Sequence, residues 1–173
     1  MIVIGTDPSF RYNGMAIFIF NTETKEVETR IFKNLRSFQK WIDGLEDEKP
    51  PQTAIVGVED GSAQGIYEGN FQAFLKKCKA KDSRGMRNSY AINVGKNMAA
   101  TKYAISLFSE KYKPRNVFSI TPKQKGVKMS ARSFETTYGI KTIDYTQDEI
   151  DAGVIAMVAF HQFKFAQKIK QAK

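Results

Sequence analysis

The chain has 173 residues, of which 42% are hydrophobic and 12% aromatic, a composition that supports one folded domain and excludes a disordered chain. Its 27 lysine and arginine residues outnumber 18 aspartate and glutamate residues, which gives a formal net charge of +9. No apolar run approaches the roughly 20 residues of a membrane span, and one cysteine with one histidine excludes an internal disulfide and a structural zinc site.

Hydrophobic periodicity predicts alternating strands and helices in a single domain that spans residues 1–173. In chain order, the predicted elements are strands at 2–5, 15–20 and 25–32, a helix at 37–45, a strand at 53–59, a helix at 89–111, a strand at 116–120 and helices at 131–138 and 148–165. This order implies an α/β fold with a mixed five-stranded sheet flanked by helices. Within the predicted helix at 89–111, small side chains are expected to admit another helix closely, at Gly95, Ala99, Ala100 and Ala104.

Four acidic residues lie where predicted strands end or where the last helix begins. Asp7 follows the first strand, Glu59 ends the central strand, and Asp148 and Asp151 share one face of the last helix. Because the carboxyl ends of parallel strands meet at one edge of a sheet, the four carboxylates are predicted to converge there. Clustered carboxylates need cations, and hard oxygen ligands suit Mg²⁺ or Mn²⁺. The pattern predicts two such ions, which can clamp the attacking and leaving oxygens of a phosphodiester displacement.

Each of these acids also has an ordinary structural interpretation, which for Glu59 is a place at an edge of the sheet. The stretch Asp7–Ser9 is typical of a turn, and Asp148 is a favourable charge for the first turn of a helix. Asp151 is harder to explain in this way, because its neighbours are apolar and an unpaired charge among them is costly. Asp60, directly after Glu59, is predicted to point to the opposite face of the sheet.

The basic residues are concentrated in three stretches, at 76–87, 111–132 and 161–173, which hold 17 of the 27 and only one acid, Asp82. Such segregation predicts a surface for a nucleic-acid backbone, with a basic surface that serves solubility as the alternative and an anionic membrane as a weaker one. The stretch 76–87 is predicted to be an irregular, DNA-contacting extension outside the core. The predicted DNA contacts are Lys76, Lys77, Lys79, Lys81, Arg84, Arg87, Lys123 and Arg132.

Three motifs together resemble the RuvC-type Holliday junction resolvases of the RNase H-like superfamily. They are GTDPS at 5–9 with Gly14, VGVED at 56–60 and DEIDAGVIAM at 148–157, and they cover nearly the whole chain in order. The resemblance implies an RNase H-like fold in which the catalytic, metal-binding carboxylates are Asp7, Glu59, Asp148 and Asp151. It also implies essential lysines after the fifth strand, a position open to Lys123, Lys125 and Lys128, of which Lys125 and Lys128 are the predicted catalytic ones.

The function implied by the resemblance is a homodimeric, Mg²⁺-dependent endonuclease that resolves four-way DNA junctions by symmetrical phosphodiester hydrolysis. Mn²⁺ is expected to substitute for Mg²⁺, and neither a membrane nor a small-molecule cofactor is expected to take part. The predicted location is the cytoplasm of a bacterium or of a phage-infected cell. The segment 94–99 resembles the helix that lies at the dimer interface in this family.

Two features depart from the family pattern. Ser62 stands where family members often have an aromatic residue at the junction centre, and Tyr67, Phe71 and Phe74 are the candidates to replace it. The segment between Glu59 and the helix at 89–111 is long, which resembles phage or mobile-element members. These departures leave two alternatives: a less selective nuclease for flaps and forks, and a non-catalytic module that binds DNA junctions.

Overall fold

Five strands form one mixed sheet within the described part of the computed structural model, which covers residues 1–9, 14–44, 54–60, 68–142 and 144–171. The strands are β1 (Ile2–Ser9), β2 (Gly14–Asn21), β3 (Val27–Phe32), β4 (Ile55–Glu59) and β5 (Val117–Ile120). Their order is β3-β2-β1-β4-β5, with β2 antiparallel to β1 and β3, and β4 parallel to β1 and β5. The predicted α/β fold with a mixed five-stranded sheet is confirmed.

Helices cover both faces of this sheet. They are α1 (Leu35–Gly44), α2 (Glu68–Cys78), α3 (Arg84–Lys111), α4 (Pro122–Lys125), α5 (Ala131–Tyr138) and α6 (Gln147–Gln171). Because successive strand residues point to opposite faces, Val3 packs towards α5 and α6 with Phe134, whereas Ile4 packs towards α1 and α3 with Phe38 and Phe108. Among the described residues, no helix combines the length and the apolar content of a membrane span.

Helices cover residues 76–78 and 84–87 of the basic stretch, whereas 79–83 between them is irregular, so the prediction of an irregular extension is met only in this connection. The first helix of this region, α2, was not predicted at all, and α3 begins five residues earlier than expected. Ser83 is the N-cap of α3, where its Oγ accepts a hydrogen bond from the Met86 N–H at 3.2 Å. Ser83, a residue type that favours turns, therefore starts a helix here. The apolar anchors lie mostly outside the basic stretch, because Phe71, Phe74 and Tyr90 form a small core between α2 and α3.

The small residues of α3 divide between two environments. Ala100 and Ala104 are buried, and Ala104 packs against the sheet in the core that contains Phe108. Gly95 and Ala99 are exposed, and a Cβ at Gly95 would meet no described atom within 4 Å. Within the described chain, another element therefore packs closely against α3 at Ala100 and Ala104, as predicted, but not at Gly95 or Ala99.

Two glycines bring α6 close to the sheet. A Cβ on Gly5 of β1 would overlap the carbonyl oxygen of Ala152 and lie 2.6 Å from the nitrogen of Ala156. A Cβ on Gly57 of β4 would lie 2.8 Å from the carbonyl oxygen of Ile155. Because these neighbours are backbone atoms, they have no rotamer by which to move aside. The two missing side chains thus set the distance between α6 and both central strands.

Replacing Gly5 with alanine is therefore expected to destabilise the protein by about 3 kcal/mol or more, at or above the upper end of ordinary overpacking. Gly85→Ala is the matched control, because the same added methyl group would meet only Ser83 Oγ, at 3.9 Å, in the first turn of α3 and should change stability by no more than about 1 kcal/mol. Urea denaturation of both variants measures the difference. Equal midpoints would show that α6 does not rest on the backbone of Gly5.

Candidate active site

Three of the four predicted catalytic carboxylates meet at Lys125. The Lys125 Nζ atom lies 3.1 Å from Glu59 Oε2, 3.5 Å from Asp151 Oδ2 and 3.7 Å from Asp7 Oδ2. The side chain of Lys125 is only 11% exposed, and the three acids are similarly enclosed. The acids belong to β4, α6 and β1, so the structure brings together residues that are far apart in the sequence.

Asp7 lies inside β1, which corrects the expectation that the strand ends before it. Antiparallel pairing with β2 continues to the end of β1, from Asp7 opposite Ala16 to Ser9 opposite Gly14. Parallel pairing with β4 stops earlier, at Thr6. Asp7 is therefore beyond the end of the β4 ladder although it is still within a strand. Since it lies two residues after Gly5, it shares the face of β1 that α6 covers.

Glu59 is held at the corresponding point of the neighbouring strand. Its carbonyl oxygen accepts a hydrogen bond from Thr101 Oγ1 of α3 at 3.0 Å, a contact that sequence reasoning missed. The next residue, Asp60, turns to β5, where its N–H donates to the Ile120 carbonyl and its Oδ2 accepts from Ser119 Oγ, both at 2.8 Å. Adjacent acids thus have different partners, and only Glu59 contacts Lys125.

A capping box directs Lys125 towards the sheet. Thr121, directly after β5, accepts a hydrogen bond from the Gln124 N–H through its hydroxyl at 3.3 Å, and Gln124 Oε1 accepts from the Thr121 N–H at 2.8 Å. Pro122 occupies the first helical turn, where its missing N–H has no helical partner to lose. The short helix α4 therefore ends with Lys125 at the edge of the sheet. The Thr-x-x-Gln spacing was visible in the sequence and favours Lys125 over Lys123, which is exposed.

Asp151 has a fixed orientation because both of its carboxylate oxygens have partners. Gln147 Nε2 donates to Asp151 Oδ1 at 2.8 Å and to the Met129 carbonyl at 2.9 Å. Oδ2 faces Lys125 and, at 3.6 Å, the ammonium of Lys128. Sequence reasoning missed Gln147, although its spacing of four residues from Asp151 places both side chains on one helix face.

The fourth predicted carboxylate, Asp148, is half-buried in the first turn of α6. It is not among the described acids that form ion pairs with Lys125. Lys128 also differs from Lys125, because its side chain is 62% exposed. The candidate site therefore has an enclosed centre around Lys125 and an open side that carries Lys128.

Burial and charge act together on the titration of the centre. Burial raises the pKa of Asp7 well above its usual value of 3.8, and the negative charge of Glu59 raises it further, while Lys125 opposes the shift. Burial by itself would lower the pKa of Lys125, but the carboxylates of Asp7, Glu59 and Asp151 outweigh it and raise that pKa. Lys125 is therefore a protonated counter-ion for the acids that surround it.

The donor chemistry of this centre fits a hard divalent cation. Asp7, Glu59 and Asp151 offer carboxylate oxygens from three separate elements, the ligand type that Mg²⁺ and Mn²⁺ prefer. Among the described residues, no three acids, histidines or cysteines are already grouped closely enough to hold a metal ion. The ammonium of Lys125 lies between the carboxylates, where it supplies the positive charge that they require.

The predicted DNA-contacting residues are spread over five exposed positions in the fold. Lys76 and Lys77 end α2, Lys79 and Lys81 lie before α3, Arg84 and Arg87 are in the first turn of α3, Lys123 is in α4 and Arg132 is in α5. Arg87 has a structural part as well, because it forms an ion pair with Asp82 and lies 4.6 Å from the centre of the Phe71 ring.

Two of the three aromatic residues predicted to lie at a junction centre, Phe71 and Phe74, are among the described residues, and their positions do not support this role. Phe71 and Phe74 are buried, with exposed fractions of 2% and 7%, and their rings pack against Tyr90. Neither ring is therefore available to stack on a base. Ser62 and Tyr67 lie outside the described residues.

Comparison of the chain with known proteins identifies no relative. The chain matches no family model, no curated protein and no solved structure. The function is therefore inferred from the positions and charges of the chain's own residues together with the family resemblance of its three motifs.

Proposed function

We propose that the protein is a Mg²⁺-dependent endonuclease with an RNase H-like fold that resolves four-way DNA junctions. The observation that carries this proposal is the meeting of Asp7, Glu59 and Asp151 around one cationic group. Asp7 and Glu59 lie towards the carboxyl ends of two parallel central strands, which is where α/β folds place their sites, and Asp151 reaches the same place from α6. The mixed sheet and the order of the three motifs agree with the RuvC-type resemblance, which supplies the junction as the substrate.

Asp7, Glu59 and Asp151 are the residues that would hold Mg²⁺, with Asp148 as the further predicted ligand. When bound, Mg²⁺ supplies Lewis-acid stabilisation of phosphodiester oxygens and lowers the pKa of water. The chain contributes the negative charge that retains the ion, and Gln147 keeps the Asp151 carboxylate in one orientation. The resemblance implies two ions in each active site.

Lys125 and Lys128 would act on the charge of the scissile phosphate. Lys128 is exposed beside Asp151, so its ammonium is accessible to a phosphodiester that approaches the open side of the site. Lys125 is enclosed and balances the carboxylates. Fixed positive charges beside a reacting phosphate stabilise the additional negative charge of the transition state.

A homodimer would supply two identical active sites for two symmetrical nicks. The outer face of α3 is consistent with the proposed interface. Ile92 is 58% exposed there, and Gly95 leaves room for the close approach of a second helix. This face overlaps the segment 94–99, on which the resemblance places the dimer contact.

Substitution of Lys76, Lys77, Lys79 and Lys81 by alanine is expected to weaken junction binding and to flatten its salt dependence. Each lysine that contacts a phosphate should lower the slope of log affinity against log salt by about 0.9. Stability should change little, because all four side chains are exposed. The matched control removes four other exposed lysines, Lys33, Lys40, Lys102 and Lys141. Mobility shifts at several salt concentrations measure the slope of log affinity against log salt for both variants. A slope that changes only in the control variant would contradict the assignment of the first four lysines as phosphate contacts.

One observation favours a non-catalytic junction-binding module as the second candidate. The ammonium of Lys125 lies within 4 Å of all three carboxylates, where it offsets part of their negative charge. Incubation with four-way junctions, flaps and plain duplex, each with Mg²⁺ and with EDTA, separates the possibilities. Mg²⁺-dependent cutting of the junction supports the resolvase, and equal cutting of all three substrates indicates a less selective nuclease. Junction binding without any cutting indicates the module.

A further inference from the structure

A cavity of about 460 Å³ lies at the end of the parallel strands opposite to Lys125. It is open to solvent on one side and is lined by Met1 before β1, by residues that precede and begin β5, and by one face of the C-terminal half of α6. Its size falls in the range of about 300–1,000 Å³ that is typical of small-molecule sites. None of its lining residues belongs to the proposed nuclease site, so a function of this cavity is independent of the proposed nuclease activity.

Three cationic side chains line this cavity, and they come from two separate segments. Lys113 and Arg115 precede β5, Lys170 is in the last turn of α6, and all three side chains are exposed at the open side of the cavity. None of the three forms an ion pair with an acid in the described part of the chain. The positive charge of Lys170 interacts favourably with the negative end of the α6 dipole. This interaction does not explain why Lys113 and Arg115 lie beside it, because they belong to another segment. The arrangement is complementary to a ligand with several negative charges.

The cavity also has aromatic walls in fixed positions. Phe118 and Phe163 are half-buried and pack against the small core that contains Ile55. The turn that carries Arg115 is anchored by the buried Asn116, whose Nδ2 donates to the Ala54 carbonyl at 3.2 Å. Aromatic side chains of this kind are surfaces on which nucleic-acid bases stack.

We propose that this cavity binds a nucleotide, with its base against Phe118 and Phe163 and its phosphates at Lys113, Arg115 and Lys170. An aromatic wall beside uncompensated cations matches a ligand that is aromatic at one end and polyanionic at the other. Either a free nucleoside diphosphate or the phosphorylated end of a DNA strand has this chemistry.

The test uses the full chain and fluorescent N-methylanthraniloyl-ADP as the probe, with unlabelled ADP, pyrophosphate, adenosine and a 5′-phosphorylated single strand as competitors. ADP should displace the probe better than pyrophosphate or adenosine. The Lys113→Ala/Arg115→Ala double variant should weaken ADP binding at least about tenfold, the effect of losing a charge-assisted hydrogen bond. The control Lys33→Ala/Arg36→Ala removes the same charges from exposed positions elsewhere and should leave binding unchanged.

Phe163→Leu should weaken ADP binding more than pyrophosphate binding, because it removes the stacking surface but keeps an apolar side chain. Stronger competition by the DNA strand than by ADP would identify a strand end as the source of the nucleotide and would still support the site. Pyrophosphate that competes as well as ADP would overturn the proposal, as would an equal loss of binding in the control double variant. No displaceable binding of the probe up to millimolar concentration would also overturn it.

Discussion

Asparagine at position 7 is expected to reduce Mg²⁺-dependent cleavage of a four-way junction at least about a thousandfold, as the loss of a central catalytic group does. Asp7→Asn keeps the size of the side chain but removes one negative ligand from the proposed metal site. Junction affinity should be unchanged or higher, because the surface then repels phosphate less. Asp148→Asn is expected to act in the same way if Asp148 completes the ligand set.

Cleavage assays in Mg²⁺ and mobility shifts in EDTA measure the two effects separately. Asp60→Asn is the matched control, because Asp60 is the neighbour of Glu59 but bonds to Ser119 of β5. It should cleave the junction at nearly the normal rate. A folded Asp7→Asn protein that no longer binds junctions would show that these carboxylates have a role other than holding metal.

The same substitution should change the pH dependence of stability. Because burial and Glu59 raise the pKa of Asp7, the folded protein holds this proton more tightly than the unfolded chain does. Between 3.8 and the raised pKa, the Asp7 contribution to the free energy of unfolding therefore falls as pH rises. Asp7→Asn should remove this contribution from urea denaturation curves recorded in EDTA at several pH values. An unchanged pH dependence would contradict the raised pKa.

The substitution Lys125→Met is expected to lower the free energy of unfolding of the metal-free protein by about 3–5 kcal/mol, the effect of removing one partner from a buried ion pair. Lys125→Met leaves Asp7, Glu59 and Asp151 without their shared counter-ion. The loss should be smaller at low pH, because protonation relieves the repulsion between the carboxylates. Urea denaturation in EDTA at pH 4 and pH 7 measures both effects.

Lys128→Met is the matched control for this experiment. Lys128 also contacts Asp151, but its side chain is 62% exposed, so its removal should cost only about 0–1 kcal/mol. Equal losses for the two variants would show that Lys125 is not an enclosed counter-ion. Mg²⁺ should restore part of the stability of Lys125→Met if the carboxylates hold the ion, because a ligand that binds only the folded state stabilises it.

Local patterns in the sequence were sufficient for the architecture. Alternating and helical spacings of apolar residues predicted all five strands and the helices α1, α3, α5 and α6, because both spacings reflect which faces must be buried. They failed for α2, whose apolar anchors form a separate small core with Tyr90, for the start of α3 and for the short helix α4, which has no buried residue. The acids Asp7 and Glu59 were recognisable for the same reason, since each follows a run of buried strand residues.

Only the tertiary structure decided which side chains meet. It placed Lys125 between the carboxylates, exposed Lys128, left Asp148 outside the contacts of Lys125 and added Gln147 beside Asp151. These positions depend on strand register and on the close approach of α6 over Gly5 and Gly57. A linear pattern records which residues are buried, but a side-chain contact within 4 Å depends on the relative placement of elements that are distant in the chain.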